Sequence, residues 1–263
     1  MPEVEANGVR LHYDEWGEGS AILCIHGVGS SGLAWEAAAA KLAGLGRVIA
    51  YDRRGHTRSE RPQPYEVAAV SDHAADAAAL LDALDASPAV FIGRSYGGGV
   101  AIELAVREPS RVRALVLLDG DAPPELAPSY GNWLDRLRRR IDEVAETDGV
   151  DADGQALTTE AIGPGAWEQF PEPMRRMFTE NGPAILADLR GEWLRVMPSE
   201  LAAIAVPALV VTASDSPVEF RELAASTAQA LPDARLVEVP GGHMIDPAGP
   251  DVLAFVDEAL AGR

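Results

Sequence analysis

Val90-Phe91-Ile92-Gly93-Arg94-Ser95-Tyr96-Gly97-Gly98 constrains this chain more than any other stretch. A short apolar run ends in Gly-x-Ser-x-Gly, and residues 100–105 continue with a helical pattern, so Ser95 falls on a turn from a strand into a helix. A serine on so sharp a turn has strained backbone geometry, and the residues two positions to either side must be small to clear the strand and the helix. Gly93 and Gly97 meet that need. The turn lifts the hydroxyl out of the sheet and leaves the Tyr96 amide at a helix N-terminus, where partial positive charge can meet a developing negative charge. Ser95 is therefore the candidate nucleophile.

The rest of the chain supplies the sheet that such a turn needs. Residues 4–13 alternate apolar and polar side chains around Asn7-Gly8, a strong hairpin signal, so the chain is expected to open with an antiparallel pair. Apolar strands are expected at 21–25, 47–52, 112–119, 207–212 and 234–239, with helices between them, including 67–84, 218–231 and 250–260. That rhythm implies a parallel sheet covered by helices on both faces. His26-Gly27-Val28-Gly29 is a glycine-rich bend at a strand's end, where backbone amides can point into a cleft, and the Val28 amide is the expected second oxyanion donor beside that of Tyr96. His26 is expected to order this loop by hydrogen bonding. The turn-rich segment 52–59 is expected to be structural, and His73 to face solvent among the polar positions of its helix.

The alternation breaks from 121 to about 203, which holds no clear strand. Helical pieces at 132–146 and 183–196 are separated by Pro and Gly clusters, and the segment carries Trp133, Trp167 and Trp193 together with Met174, Met177 and Met197. An insertion of this length with its own aromatic stock is expected to form a lid over a core made of 1–120 and 204–263. Trp133, Trp167, Met177 and Trp193, with Met244 beside His243, are the expected substrate-binding side chains. Asp215 stands just past one strand and His243 just past the next, which places both at the sheet edge that carries Ser95.

With these residues in hand, the chain resembles α/β-hydrolase-fold proteins over essentially its whole length. The similarity is carried by His26-Gly27, the 52–59 loop, Gly93-Arg94-Ser95-Tyr96-Gly97-Gly98, Asp215 and Gly242-His243, in the order serine, acid, histidine. It implies a mostly parallel eight-stranded sheet, a helical cap, and a triad in which Ser95 attacks, His243 moves the proton and Asp215 orients His243, with the Val28 and Tyr96 amides as oxyanion hole. Asp119 is the alternative acid, since some relatives place theirs after the preceding strand. The chain departs from the pattern at Thr57, where relatives usually carry glycine, and at Ser214-Asp215-Ser216, which lacks a doubled acid. The residue types suit the chemistry: a serine hydroxyl needs a base at neutral pH, and imidazole titrates near there. The resemblance implies hydrolysis of an ester, lactone or thioester of a small, largely apolar molecule, with carbon–carbon bond hydrolysis or a ligand-binding receptor as alternatives.

Composition narrows the remaining classes. A net charge of −19 opposes binding to a nucleic-acid backbone or an anionic membrane surface. Cys24 is the one cysteine, so no internal disulfide can form, and the scattered histidines suggest no metal centre. No cofactor is expected. With neither a leader pattern nor a run of 18 apolar residues, the expected location is the cytoplasm.

Overall fold

Alternation of side chains along buried strands decides how the layers of this protein form. The structure, a computed structural model, describes residues 2–262. Among these, eight strands make one sheet: β1 (Glu3–Ala6), β2 (Val9–Trp16), β3 (Ala21–Ile25), β4 (Arg47–Tyr51), β5 (Ala89–Arg94), β6 (Val112–Leu118), β7 (Ala208–Ala213) and β8 (Ala234–Val239). Their order is β1-β2-β4-β3-β5-β6-β7-β8. The β1–β2 and β2–β4 pairs are antiparallel and all others parallel. Asn7 and Gly8 both take left-handed φ (50° and 74°), as the expected hairpin turn requires.

Successive residues of the central strands feed two separate cores. Leu23, Phe91, Leu115 and Val210 point to one, where they meet α2 (Val70–Ala83), α3 (Tyr96–Arg107) and α10 (Val218–Ala230). Cys24, Val90, Ile92, Val116 and Val211 point to the other, against α1 (Glu36–Leu42) and α11 (Pro250–Leu260). The expected helices on both faces are thus present. Cys24 is wholly buried, and burial pushes its thiol pKa far up, as befits a small apolar packing group.

Between β6 and β7 the described residues form no strand. Helices α4 (Pro128–Thr147), α5 (Asp153–Ala161), α6 (Ala166–Gln169), α7 (Glu172–Glu180), α8 (Gly182–Arg190) and α9 (Pro198–Leu201) fill the segment. The helix expected at 183–196 stops at Arg190. Gly191 leaves helical geometry and packs so near the Ala68 carbonyl that a Cβ would lie 2.0 Å from its oxygen. Among the described residues no helix is long and apolar enough to cross a membrane.

Two buried polar junctions fasten these helices to the sheet's loops. In the first, Arg53 donates to Asp188 Oδ2 of α8 at 2.8 Å, to His26 O at 3.2 Å and to Gly27 O at 3.2 Å. His73 donates from Nε2 to Asp188 Oδ1 at 2.9 Å. His73 is therefore buried, contrary to the expectation of a solvent-facing side chain: α2 turns that face inward to meet the Asp188 carboxylate. Burial alone would raise the Asp188 pKa, but Arg53, His73 and His56 reverse this and hold it well below the usual carboxylate range. Burial and then Arg53 lower His56 to about 3, and the same two causes lower His26 and His73. The junction thus holds one ion pair among neutral imidazoles.

In the second junction, Asn181 Nδ2 donates to Gly29 O at 3.0 Å and Ser30 O at 3.1 Å, while Oδ1 accepts from Thr57 N at 2.7 Å. Thr57 has φ of 44°, so the threonine keeps the left-handed conformation that a glycine would adopt at no steric cost. Its bonds to Asn181 fix that conformation. The rest of the 52–59 loop is the expected structural turn: Asp52 accepts from the Gly32 amide at 2.6 Å and from Arg58 Nε at 2.7 Å.

Removing one partner of a buried ion pair leaves an unpaired charge. Asp188→Ala is therefore expected to cost about 3–5 kcal/mol in urea unfolding. Because the Asp188 pKa is lowered on folding, its stabilisation is present above the unfolded value of about 3.9 and fades below it. A loss under about 1 kcal/mol for Asp188→Ala would exclude this role for the pair.

Candidate active site

The turn between β5 and α3 has little spare room. A Cβ on Gly93 would lie 2.4 Å from Gly97 O, and one on Gly97 would lie 2.2 Å from Ile25 O. Ser95 takes φ 49° and ψ −125°, the strained geometry expected of it. Its carbonyl accepts from Gly98 N at 2.7 Å and Asp121 N at 2.8 Å, which holds the strain in place. Beside it, Gly27 comes so near that a Cβ there would lie 3.8 Å from Ser95 Oγ.

Val28 follows in the same loop, and Tyr96 begins α3. Among the described residues neither amide donates to a protein acceptor. Arg53 shapes both sides of this niche: it holds the His26 and Gly27 carbonyls, and its guanidinium lies 4.5 Å from the Tyr96 ring centre. His26 orders the loop as expected, donating from Nδ1 to Gly27 O at 2.8 Å and accepting from Arg53 N at 2.9 Å.

His243 lies on the turn after β8 and borders the same cavity as Ser95. Arg94, the residue before Ser95, donates to Ile245 O at 2.6 Å and so ties the histidine's loop to the serine's turn. The Phe220 ring packs 4.5 Å from the imidazole. The carboxylate that reaches His243 is Asp119, whose Oδ2 stands 3.2 Å from Nδ1. Asp119 has φ of 40°, which turns its side chain off the end of β6 toward β7 and β8. There Thr212 donates to Oδ1 at 2.7 Å and Ser216 to Oδ2 at 2.5 Å.

Asp215, the expected acid, is not part of this group. Its side chain is exposed and accepts from the neighbouring Ser214 hydroxyl at 3.3 Å, and its backbone amide, not its carboxylate, serves the histidine loop by donating to Gly241 O at 2.8 Å. The tight turn after β7 directs Ser216 inward and Asp215 outward. A signal did exist in the sequence: Thr212 and Ser216 place two hydroxyls where a carboxylate from β6 can accept them.

Trp133, Trp193 and Met244 line the cavity as expected, whereas Trp167 and Met177 do not. Trp167 is half-buried against the apolar cluster of the surrounding helices. On α7 the cavity side is that of Met174 and Phe178, four residues apart; Met177 points about one residue's rotation away, and its sulfur accepts from Ser31 Oγ at 3.1 Å. Leu137, Leu157 and Leu189 complete the apolar lining, and nothing in the sequence sets them apart from other core leucines. One acid breaks that lining. Asp121 is 3 % exposed, and burial pushes its carboxyl up to about 7.

The sequence model of the alpha/beta hydrolase fold matches residues 20–246. The chain belongs to this family. A lipase, LipV of Mycobacterium tuberculosis, is 30 % identical over 97 % of this chain and 98 % of its own. A 2-hydroxymuconate semialdehyde hydrolase from Pseudomonas sp. (strain CF600) is 40 % identical over 44 % of this chain and 42 % of its own. The crystal structure of the enol-lactonase from Burkholderia xenovorans LB400 superposes with a TM-score of 0.73 at 26 % identity, covering 99 % of this chain and 98 % of the other. These relatives are hydrolases, and the chain is accordingly a hydrolase.

The roles of two acids in this hydrolase can be measured. Asp119→Asn is expected to lower kcat for a model ester by about 10³–10⁴-fold, while Asp215→Asn stays near the parent value; the reverse pattern would return the acid's role to Asp215. Stability should depend on Asp121 in a defined direction. Its folded pKa of about 7 lies above the unfolded value of about 3.9, so between the two the unfolded state binds fewer protons and stability falls as pH rises. Asp121→Asn is expected to flatten that decline by up to about 1.4 kcal/mol per pH unit, measured by urea unfolding from pH 4 to 7, leaving a residual slope from Asp153, which is likewise raised to about 7.

Proposed function

We propose that the protein is a serine hydrolase that cleaves an ester, lactone or thioester of a small, largely apolar molecule through an acyl-enzyme on Ser95. The observation that carries this reading is the convergence of Ser95 and His243 on one cavity, with Asp119 bonded to the far side of the imidazole. An Nδ1–H that donates to Asp119 leaves the Nε2 lone pair free to take the Ser95 proton as Oγ attacks the carbonyl carbon. The oxygen that becomes negative is met by the Val28 and Tyr96 amides, each such donor being worth about 3 kcal/mol in comparable sites. Protonated His243 then gives its proton to the departing alcohol or thiol, leaving Ser95 acylated. Water attacks the acyl-enzyme in the same way, with His243 again accepting and returning one proton.

The α4–α9 segment acts as the cap in this reading. Its Trp133, Leu137, Leu157, Phe178 and Leu189 side chains give the cavity an apolar wall, which favours an apolar acyl or alcohol group. The similarities to a lipase and an enol-lactonase support oxygen esters and lactones as the substrate class. The same three side chains also suit hydrolysis of a carbon–carbon bond in a diketone, a reading distinguished by product analysis.

Labelling with a fluorophosphonate probe is expected to modify Ser95, and Ser95→Ala is expected to abolish both labelling and turnover of p-nitrophenyl esters. Unchanged ester turnover by Ser95→Ala would exclude the proposal.

A further inference from the structure

The Ser95 cavity adjoins a second, larger space. A groove of about 720 Å³ runs between α4 and residues 190–195, against about 60 Å³ for the cavity itself. Helix α4 divides the two: Trp133 and Leu137 line the cavity, whereas Leu134 and Arg138, each one position on, line the groove. Among the described residues Trp193 alone borders both. No helix or strand contains residues 191–197, so the indole is placed by what it touches. It stands edge-on to the Tyr96 ring, with centres 5.0 Å apart, one residue along from the serine. The Tyr130 hydroxyl lies beside its N–H. On the groove side the Arg138 guanidinium lies 5.2 Å from the indole centre and donates to Gly191 O at 3.2 Å. Trp193 is buried, and its ring fills the gap between the two spaces.

The volumes say what such a partition does to a substrate. A cavity of about 60 Å³ takes about four to six water-sized groups at ~10–15 Å³ each, the size of a butanoyl or pentanoyl group. We propose that Trp193 is the stop that restricts the enzyme to substrates with a short apolar chain, and that its indole is all that separates the Ser95 cavity from the groove beside α4. This rests on the reading of Ser95 as nucleophile and narrows its substrate class. A chain longer than the cavity must displace the indole from Tyr96 and Arg138 or fold back on itself, and either loses binding that a shorter chain keeps. In an apolar pocket a misfit of a single methylene is worth about tenfold or more in discrimination. With the indole removed, a long chain can run on past Leu134 and Leu194 into the groove.

The test measures kcat/KM for p-nitrophenyl butanoate, hexanoate, octanoate, decanoate and dodecanoate below their micelle concentrations, with the matching alkyl acetates for the alcohol side. In the parent, at least one series is expected to fall by about tenfold or more between the butyl and octyl lengths. In Trp193→Ala that fall is expected to vanish out to the dodecyl length. A parent with no such fall in either series, or a fall that Trp193→Ala leaves in place, would overturn the stop. A fall merely displaced to the decyl length would overturn it too, since a larger but closed cavity is then enough. Should Trp193→Ala fail to fold by circular dichroism, Trp193→Leu takes its place, with the same outcomes supporting or overturning the proposal. Binding separates the stop from the nucleophile. Titrated calorimetrically, Ser95→Ala is expected to bind octanamide no more tightly than butanamide, and Ser95→Ala with Trp193→Ala to bind octanamide about tenfold or more tighter. That pattern with no hydrolysis of any ester by the parent would keep the stop and remove the nucleophile. Equal hydrolysis along both series, with octanamide preferred by Ser95→Ala itself, would do the opposite.

Discussion

The Arg53–Asp188 ion pair is the contact on which the arrangement of the site depends. Arg53 comes from the loop after β4 and Asp188 from α8, and neither side chain is exposed. Besides pairing with Asp188, the guanidinium holds the two carbonyls that precede Val28 and lies over the Tyr96 ring. One planar cation therefore sets the height of the α4–α9 segment, the shape of the loop bearing Val28 and the packing of Tyr96. A lysine would serve poorly, because these contacts use the width of the guanidinium and several of its hydrogens at once. The neutral state of the three nearby histidines fits the same arrangement, since a second positive charge there would compete with Arg53 for Asp188.

The side chains of the candidate site are held by strain on one side and by hydrogen bonds on the other. Ser95 and Asp119 both have left-handed φ, at the ends of adjacent strands, and each is pinned by main-chain bonds to a neighbouring strand or loop. His243 arrives from far along the chain on a glycine-containing turn and relies on Asp119, Phe220 and the Arg94 contact to Ile245 for its orientation. The division makes physical sense. In the proposed mechanism Ser95 and Asp119, on strand ends, need not move, whereas the His243 imidazole passes a proton in two directions.

Much of this is legible in the sequence because it follows from local rules. The strand-to-helix turn at Ser95, the alternating strands, the Asn7-Gly8 hairpin and the positions of His243 and Val28 are each specified by a few adjacent residues. What is not legible depends on how distant segments meet. Asp119 and Asp215 both end strands at the same sheet edge, and only the φ of Asp119 and the outward turn at Asp215 decide which one reaches His243. Trp167 and Met177 fail to line the cavity because the rotation of short helices around it is set by tertiary packing, not by their composition. His73 reads as a surface histidine from its neighbours alone, as its partner Asp188 lies 115 residues away in sequence. Thr57 shows the converse: a local rule asks for glycine, and a distant Asn181 makes threonine acceptable.

The stretch from β5 through α3 to the end of β6 carries, in one strand–helix–strand crossover, the serine, the Tyr96 amide, Asp119 and, two residues on, Asp121. That unit is contiguous in sequence and precedes α4, whereas His243 and the Thr212 and Ser216 hydroxyls that hold Asp119 come later in the chain. The helices that follow are fastened elsewhere, to the loops after β3 and β4, through Asn181 and Asp188. The side chains of these helices that line the cavity take no part in either junction, so changing one alters the wall and leaves both latches intact.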